Sequence, residues 1–118
     1  MHKFLLIGIM VMGFSFNALA TFKMKIANLC NISSQYWRVQ IYNGNYIENI
    51  ASDGSFETNV PSGTKLSAFI GWEYCAQKYP LEQSQCIQSI TSVRGAWTPA
   101  AAGGILPVRS VSSKYIDC

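Results

Sequence analysis

Four cysteines, Cys30, Cys75, Cys86 and Cys118, carry the most reactive side chains in this 118-residue sequence, and their spacing limits what they can do. A structural zinc site pairs its thiolates through short C-x-x-C-type knuckles, and a dithiol redox centre uses C-x-x-C; separations of 45, 11 and 32 residues contain neither. An even set of cysteines in a chain delivered to an oxidising compartment pairs instead as disulfides. Four cysteines allow three connectivities, and the sequence does not choose among them. Cys75 with Cys86 would staple the polar stretch "EYCAQKYPLEQSQC", and Cys30 with Cys118 would then join the exit of the first strand to the last residue.

The other groups that do chemistry are sparse. His2 is the one histidine, and it falls in the leader described below, so the remaining chain has no imidazole for a Ser-His-Asp or Cys-His relay or for a His-containing zinc site. Carboxylates remain, because a glycosidase needs two of them about 5–10 Å apart across a sugar. Glu48, Glu57, Glu73, Glu82, Asp53 and Asp117 are the candidates, and a hydrolase would need two of them to converge in a cleft. The first three sit at strand positions whose neighbours point inward, which reads as a solvated face rather than a catalytic pair. The expectation is a domain without catalytic activity, metal or cofactor.

Aromatic side chains are the more informative group. Beyond residue 20 the chain holds three tryptophans, six tyrosines and three phenylalanines in 98 residues. Trp37 and Trp72 occupy the apolar phase of their strands and read as core. Tyr42 and Tyr46 flank an Asn43-Gly44 turn, Trp97 lies in the loop "RGAWTP", and Tyr79 lies between Cys75 and Cys86. Large rings on loops and turns lose little entropy on binding, so Tyr79, Trp97, Tyr42 and Tyr46 are the candidate contact residues.

These residues need elements to position them. Residues 1–20, "MHKFLLIGIMVMGFSFNALA", place one Lys ahead of an apolar run and end in Ala18-Leu19-Ala20, the pattern of a cleaved secretory signal peptide; the apolar run is too short for a spanning helix. Cleavage leaves 21–118, the size of a single secreted β-domain, with no stable membrane insertion and a secreted or periplasmic location. The whole chain carries nine Lys/Arg and six Asp/Glu; without Lys3 the balance is +2, and the basic residues are scattered singly rather than in the stripe that a nucleic acid requires.

"TFKMKIAN" alternates apolar and polar residues as a half-buried strand does, and "YWRVQIY", "NGN", "YIENIA" reads as a hairpin over 36–42 and 45–51, with positive φ at both turn residues. Asp53-Gly54 offers a second turn before the strand "SFETNV", and "TKLSAFIGWEYC" reads as the longest strand, interrupted in its polar phase by Phe69 beside Gly71. In "IQSITSVRGAW" the spacing of Ile87, Ile90 and Val93 suits a helical turn while its β-branched content favours a strand, the assignment adopted. The fold class expected is all-β: a small antiparallel β-sandwich of immunoglobulin-like size or a small barrel, disulfide-stabilised, with α+β as the alternative. Asn31-Ile32-Ser33 matches the N-x-S glycosylation sequon, a short motif of little weight.

Together these features point to a small exported, disulfide-stapled binding domain of the effector, inhibitor or adhesion type, with a protein as its partner and no nucleic acid. A carbohydrate-binding module using the same aromatics is the alternative, and a two-carboxylate glycan hydrolase a remote one.

Overall fold

The computed structural model describes residues 21–118; residues 1–20, expected to be a leader, lie outside the described residues. Along the chain the elements are β1 (Phe22–Ile26), β2 (Trp37–Ile41), β3 (Tyr46–Ile47), β4 (Ser55–Thr58), β5 (Lys65–Ile70), α1 (Glu73–Lys78), α2 (Gln83–Thr91), β6 (Thr98–Pro99) and β7 (Ile105–Leu106), with 3₁₀ turns at Ser34–Tyr36 and Pro80–Glu82.

Two sheets form. In the smaller, β1 lies between β4, antiparallel with Met24 opposite Phe56, and β7, parallel with Ile26 opposite Leu106. In the larger the order is β3-β2-β5-β6, antiparallel throughout, with Val39 opposite both Ala68 and Ile47. The period-two alternation holds in β1, where Met24 and Ile26 are buried and Lys23 and Lys25 exposed, and in β2, which buries Trp37 and Val39; β5 buries Leu66, Ala68 and Ile70 and, in the other phase, Ser67 as well. Those side chains meet Phe56, Val93 and Leu106 in one core. Trp37 is fully buried, and its indole N–H donates to the Leu29 carbonyl at 3.1 Å, which supplies the partner that a buried tryptophan needs.

The molecule is α+β, not the all-β sandwich or barrel expected, because the region from Glu73 to Thr91 is helical. The long strand stops at Ile70. Gly71 donates its N–H to the Tyr36 carbonyl at 2.7 Å, and from there the hydrogen bonds become those of a helix, Tyr74 to Gly71 and Ala76 to Trp72. Trp72 and Tyr74 continue the apolar alternation only in sequence. In α2 the three- and four-residue spacing overrides β-propensity: Cys86 and Ile90, four apart, are buried together while Gln85, Gln88 and Thr91 or their neighbours face water. The expected strand at Ile87–Val93 is therefore a helix packed against β5.

Cys75 is joined to Cys86 across the two helices, both fully buried, and Cys30 is joined to Cys118. The first bridge is part of the core rather than a surface staple. The hairpin is shorter than expected: β3 has two residues, and of the turn pair Asn43 alone takes a positive φ, +57°, with Gly44 N–H bonded back to Ile41. Gly54, at φ +93°, makes the second turn and accepts from Ile26 N–H, tying it to β1.

Candidate functional site

The larger sheet turns one face to the core and the other outward. On β2 the outward positions are Arg38 and Gln40; on β5 they are Lys65, Ser67 and Phe69. The register sets Arg38 beside Phe69, and Gln40 between Ser67 and Tyr46. Ser67 is closed off from water because the chain after α2 runs along β5: its hydroxyl donates to the Gly95 carbonyl at 2.6 Å, and Gly95 N–H donates to the Ala68 carbonyl at 3.2 Å.

That path carries Arg94 and Trp97 onto the face. The Arg94 guanidinium lies 4.7 Å from the Phe69 ring centre and 5.9 Å from that of Trp97, and donates to the Gln40 side-chain oxygen. Tyr46 meets Phe69 edge-on at 5.4 Å, Tyr42 meets Trp97 edge-on at 5.3 Å, and the Lys65 ammonium stands 5.6 Å from the Tyr42 ring. The β2–β3 hairpin and the segment between α2 and β6 thus bring Tyr42, Tyr46 and Trp97 to one surface. Trp72 joins them at the opposite end. It was read as core, but it sits at the strand-to-helix turn and is 58% exposed, a correction that follows from the end of β5 at Ile70.

Between Tyr46 and Trp72 runs a groove of about 390 Å³, with Phe69 and Arg38 along its base and Glu48 and Glu73 beside it. Arg38 holds both carboxylates, Glu48 at 3.2 Å and Glu73 at 3.9 Å, while its Nη1 donates to the Gln35 and Trp37 carbonyls at 2.7 and 2.9 Å. The Glu73 Oε1 is buried and has no hydrogen-bond donor. A depression of about 420 Å³ beside β4, where Lys23, Asn49 and Glu57 lie, carries no Tyr or Trp.

Tyr79 stands apart from the aromatic face. Half-buried, its ring packs edge-on against Tyr115 at 5.1 Å and Tyr74 at 6.2 Å, and these tyrosines fasten the C-terminal segment to the helices: Tyr74 O–H donates to the Tyr115 carbonyl at 3.1 Å, and Tyr115 O–H to Glu82 at 2.7 Å. Lys114 completes the tie, 2.6 Å from the same Glu82 oxygen. The bonds from Lys114 and Tyr115 hold the Glu82 carboxyl below the usual glutamate range, the bond to Glu82 raises Lys114 and Tyr115, and burial raises Tyr74. At the tip of this stapled pair of helices the exposed apolar residue is Leu81, at 98%.

Of the six carboxylates considered, Glu48 and Glu73 converge. Glu82 serves the C-terminal tie, Asp53 accepts from Ser55 N–H in its own turn, Asp117 accepts from Ser112, and Glu57 is exposed on β4. Arg38, Phe69, Trp72 and Arg94 are members of the face that sequence patterning passed over. The one signal among them was Phe69, an aromatic in the polar phase of β5.

No protein-family model, curated protein or solved structure matches the chain. Among the described residues no helix is long and apolar enough to cross a membrane, and two disulfides fit an extracellular or periplasmic setting.

Proposed function

We propose that this chain is a small exported binding domain, without catalytic activity, that recognises a protein through the aromatic outer face of its four-stranded sheet. One observation carries the reading: Tyr42, Tyr46, Trp72 and Trp97, from different segments, share a surface and are 50%, 56%, 58% and 37% exposed. Large aromatics gathered beside arginines are the composition of interface hot spots, and contiguous exposed apolar surface marks a binding site more often than chance packing. The exposed pair Tyr42 and Trp97 meets at an interplanar angle of 86°, and Tyr46 meets half-buried Phe69 at 62°, which argues against the coplanar row on which a sugar chain stacks.

Capture of partners from host or envelope extracts, identification of the bound protein, and titration with purified partner test this. Trp97→Ala and Tyr46→Ala are each expected to weaken binding about tenfold or more while the fold is retained. Unchanged affinity in both variants would remove the face from the interaction.

A second reading, glycan binding, draws support from the groove, where Trp72 stands beside the hydrogen-bonding groups of Arg38, Glu48 and Glu73. A glycan array run on the same protein separates the two. Glu48 and Glu73 are also the pair on which a hydrolase would depend, and release of reducing sugar that disappears in Glu73→Gln would establish that reading.

A further inference from the structure

We propose that the groove between Tyr46 and Trp72 receives a basic side chain, lysine or arginine, presented by the protein partner. The proposal rests on reading the sheet face as a protein-binding surface and names the chemistry that its acidic end selects.

The argument turns on which charges the groove shows to an incoming group. Arg38 has only 17% of its side chain exposed, and its donors are directed to two backbone carbonyls and to Glu48. It acts as a strut between the carboxylates. Glu48 and Glu73 are 68% and 45% exposed, so the accessible charge is negative although a cation lies beneath it. Among the residues that line the groove, two carboxylates stand against one guanidinium, one negative charge in excess, with Arg94 beyond them on the Phe69 ring and tied to Gln40. Trp72 and Tyr46 add exposed aromatic rings, and a cation that reaches both a ring face and a carboxylate gains from each.

The far end of the same surface has the opposite character, since Lys65 there lies against Tyr42, while Arg94 stands between the two ends, 4.7 Å from Phe69 and 5.9 Å from Trp97. A partner's basic side chain is therefore steered towards Glu48 and Glu73 and away from Lys65. A volume of about 390 Å³ lies at the small end of ligand sites and suits a single long side chain rather than a folded element. The buried Oε1 of Glu73 is turned towards Arg38 and Gly71, so the exposed remainder of the side chain, 45% accessible, is what a partner's ammonium or guanidinium meets.

The test titrates the oxidised protein with Nα-acetyl-arginine amide and Nα-acetyl-lysine amide, and with Nα-acetyl-citrulline amide as the uncharged isostere of the first. The readout is the indole N–H resonance of each tryptophan. Saturable movement of the Trp72 resonance with Trp97 unmoved is expected, with dissociation constants near about 1 mM. Citrulline should bind at least about tenfold more weakly, and so should arginine to the Glu48→Gln/Glu73→Gln double variant. Trp72→Ala, at an exposed position, provides a second variant should loss of both carboxylates disturb Arg38.

No movement of Trp72, or equal binding of citrulline and arginine, overturns the proposal. So does movement caused by neutral oligosaccharides and not by the amides, which assigns the groove to sugar. Should purified partner lose affinity with Trp97→Ala but not with Glu48→Gln/Glu73→Gln, the protein-binding face stands and the basic side-chain site falls.

Discussion

The carboxylate of Glu73 folds back over Gly71, filling the space that a side chain at position 71 would need. The obstructing atom is the free end of a flexible chain, so Gly71→Ala is expected to push Glu73 aside rather than to distort the backbone, with a stability change within about 1 kcal/mol. The same displacement takes a carboxylate away from Arg38 and out of the groove. Thermal melting should therefore be nearly unchanged while affinity for Nα-acetyl-arginine amide falls about fivefold, the size of one exposed charged contact.

Gly95 gives the opposite result. A Cβ there would run into the Pro107 carbonyl, which is backbone, while the Gly95 carbonyl accepts the buried Ser67 hydroxyl. Nothing in that arrangement can swing away, so Gly95→Ala is expected to cost about 3 kcal/mol or more in urea unfolding. Gly63, with open space around it but φ +92°, is the control, since Gly63→Ala meets backbone strain alone, about 1 kcal/mol.

The tie between Glu82, Lys114 and Tyr115 predicts a pH window. Glu82 titrates below its ordinary value of 4.5, so its contribution is present above that pH and is lost as pH falls through the lowered folded value. Lys114 and Tyr115 titrate above 10.5 and 10.0, so theirs is present below those values and is lost as pH rises through the raised ones. Melting temperature should form a plateau between these limits. Glu82→Gln should flatten the acid limb between about pH 5 and about pH 3 and shift the ultraviolet titration of a tyrosine to lower pH.

The two bridges should differ in worth. Chain-entropy arithmetic assigns about 3 kcal/mol to Cys75–Cys86 and about 4.6 kcal/mol to Cys30–Cys118, whose partners are 11 and 88 residues apart. Cys75 and Cys86 are both fully buried, so their replacement by serine places two hydroxyls in the core, against one at Cys30, which is 5% exposed, with Cys118 half-buried. Cys75→Ser/Cys86→Ser is therefore expected to be at least as damaging as Cys30→Ser/Cys118→Ser, the reverse of the loop-length order; equal replacement by alanine should restore that order.

The sequence carried much of the sheet and little of the helical layer. Strands β1, β2 and β5 were legible because each alternates apolar and polar side chains along most of its length, although the polar side of β5 is largely covered, with Ser67 buried and Phe69 half-buried. The helices were hidden by an accident of phase: Trp72 and Tyr74 continue the alternation of Leu66, Ala68 and Ile70, and nothing local marks the reversal at Gly71, which depends on a hydrogen bond to Tyr36, remote in sequence. The candidate site divided along the same line. The exposure of Tyr42, Tyr46 and Trp97 was legible in their turn and loop context, whereas Trp72 was assigned inward through the false strand. Tyr79, singled out by its place between two cysteines, packs against Tyr115, a partner that no local pattern reveals.

The bond between Cys30 and Cys118 makes nearly the whole described chain a covalent ring with a short N-terminal tail. A protease that cuts one exposed loop inside that ring opens it without releasing a fragment. Either the turn at Asn43-Gly44 or the loop around Ala101 can be clipped, one but not both, and leave the aromatic face attached to a single molecule, a form of durability suited to surroundings where peptide bonds are under attack.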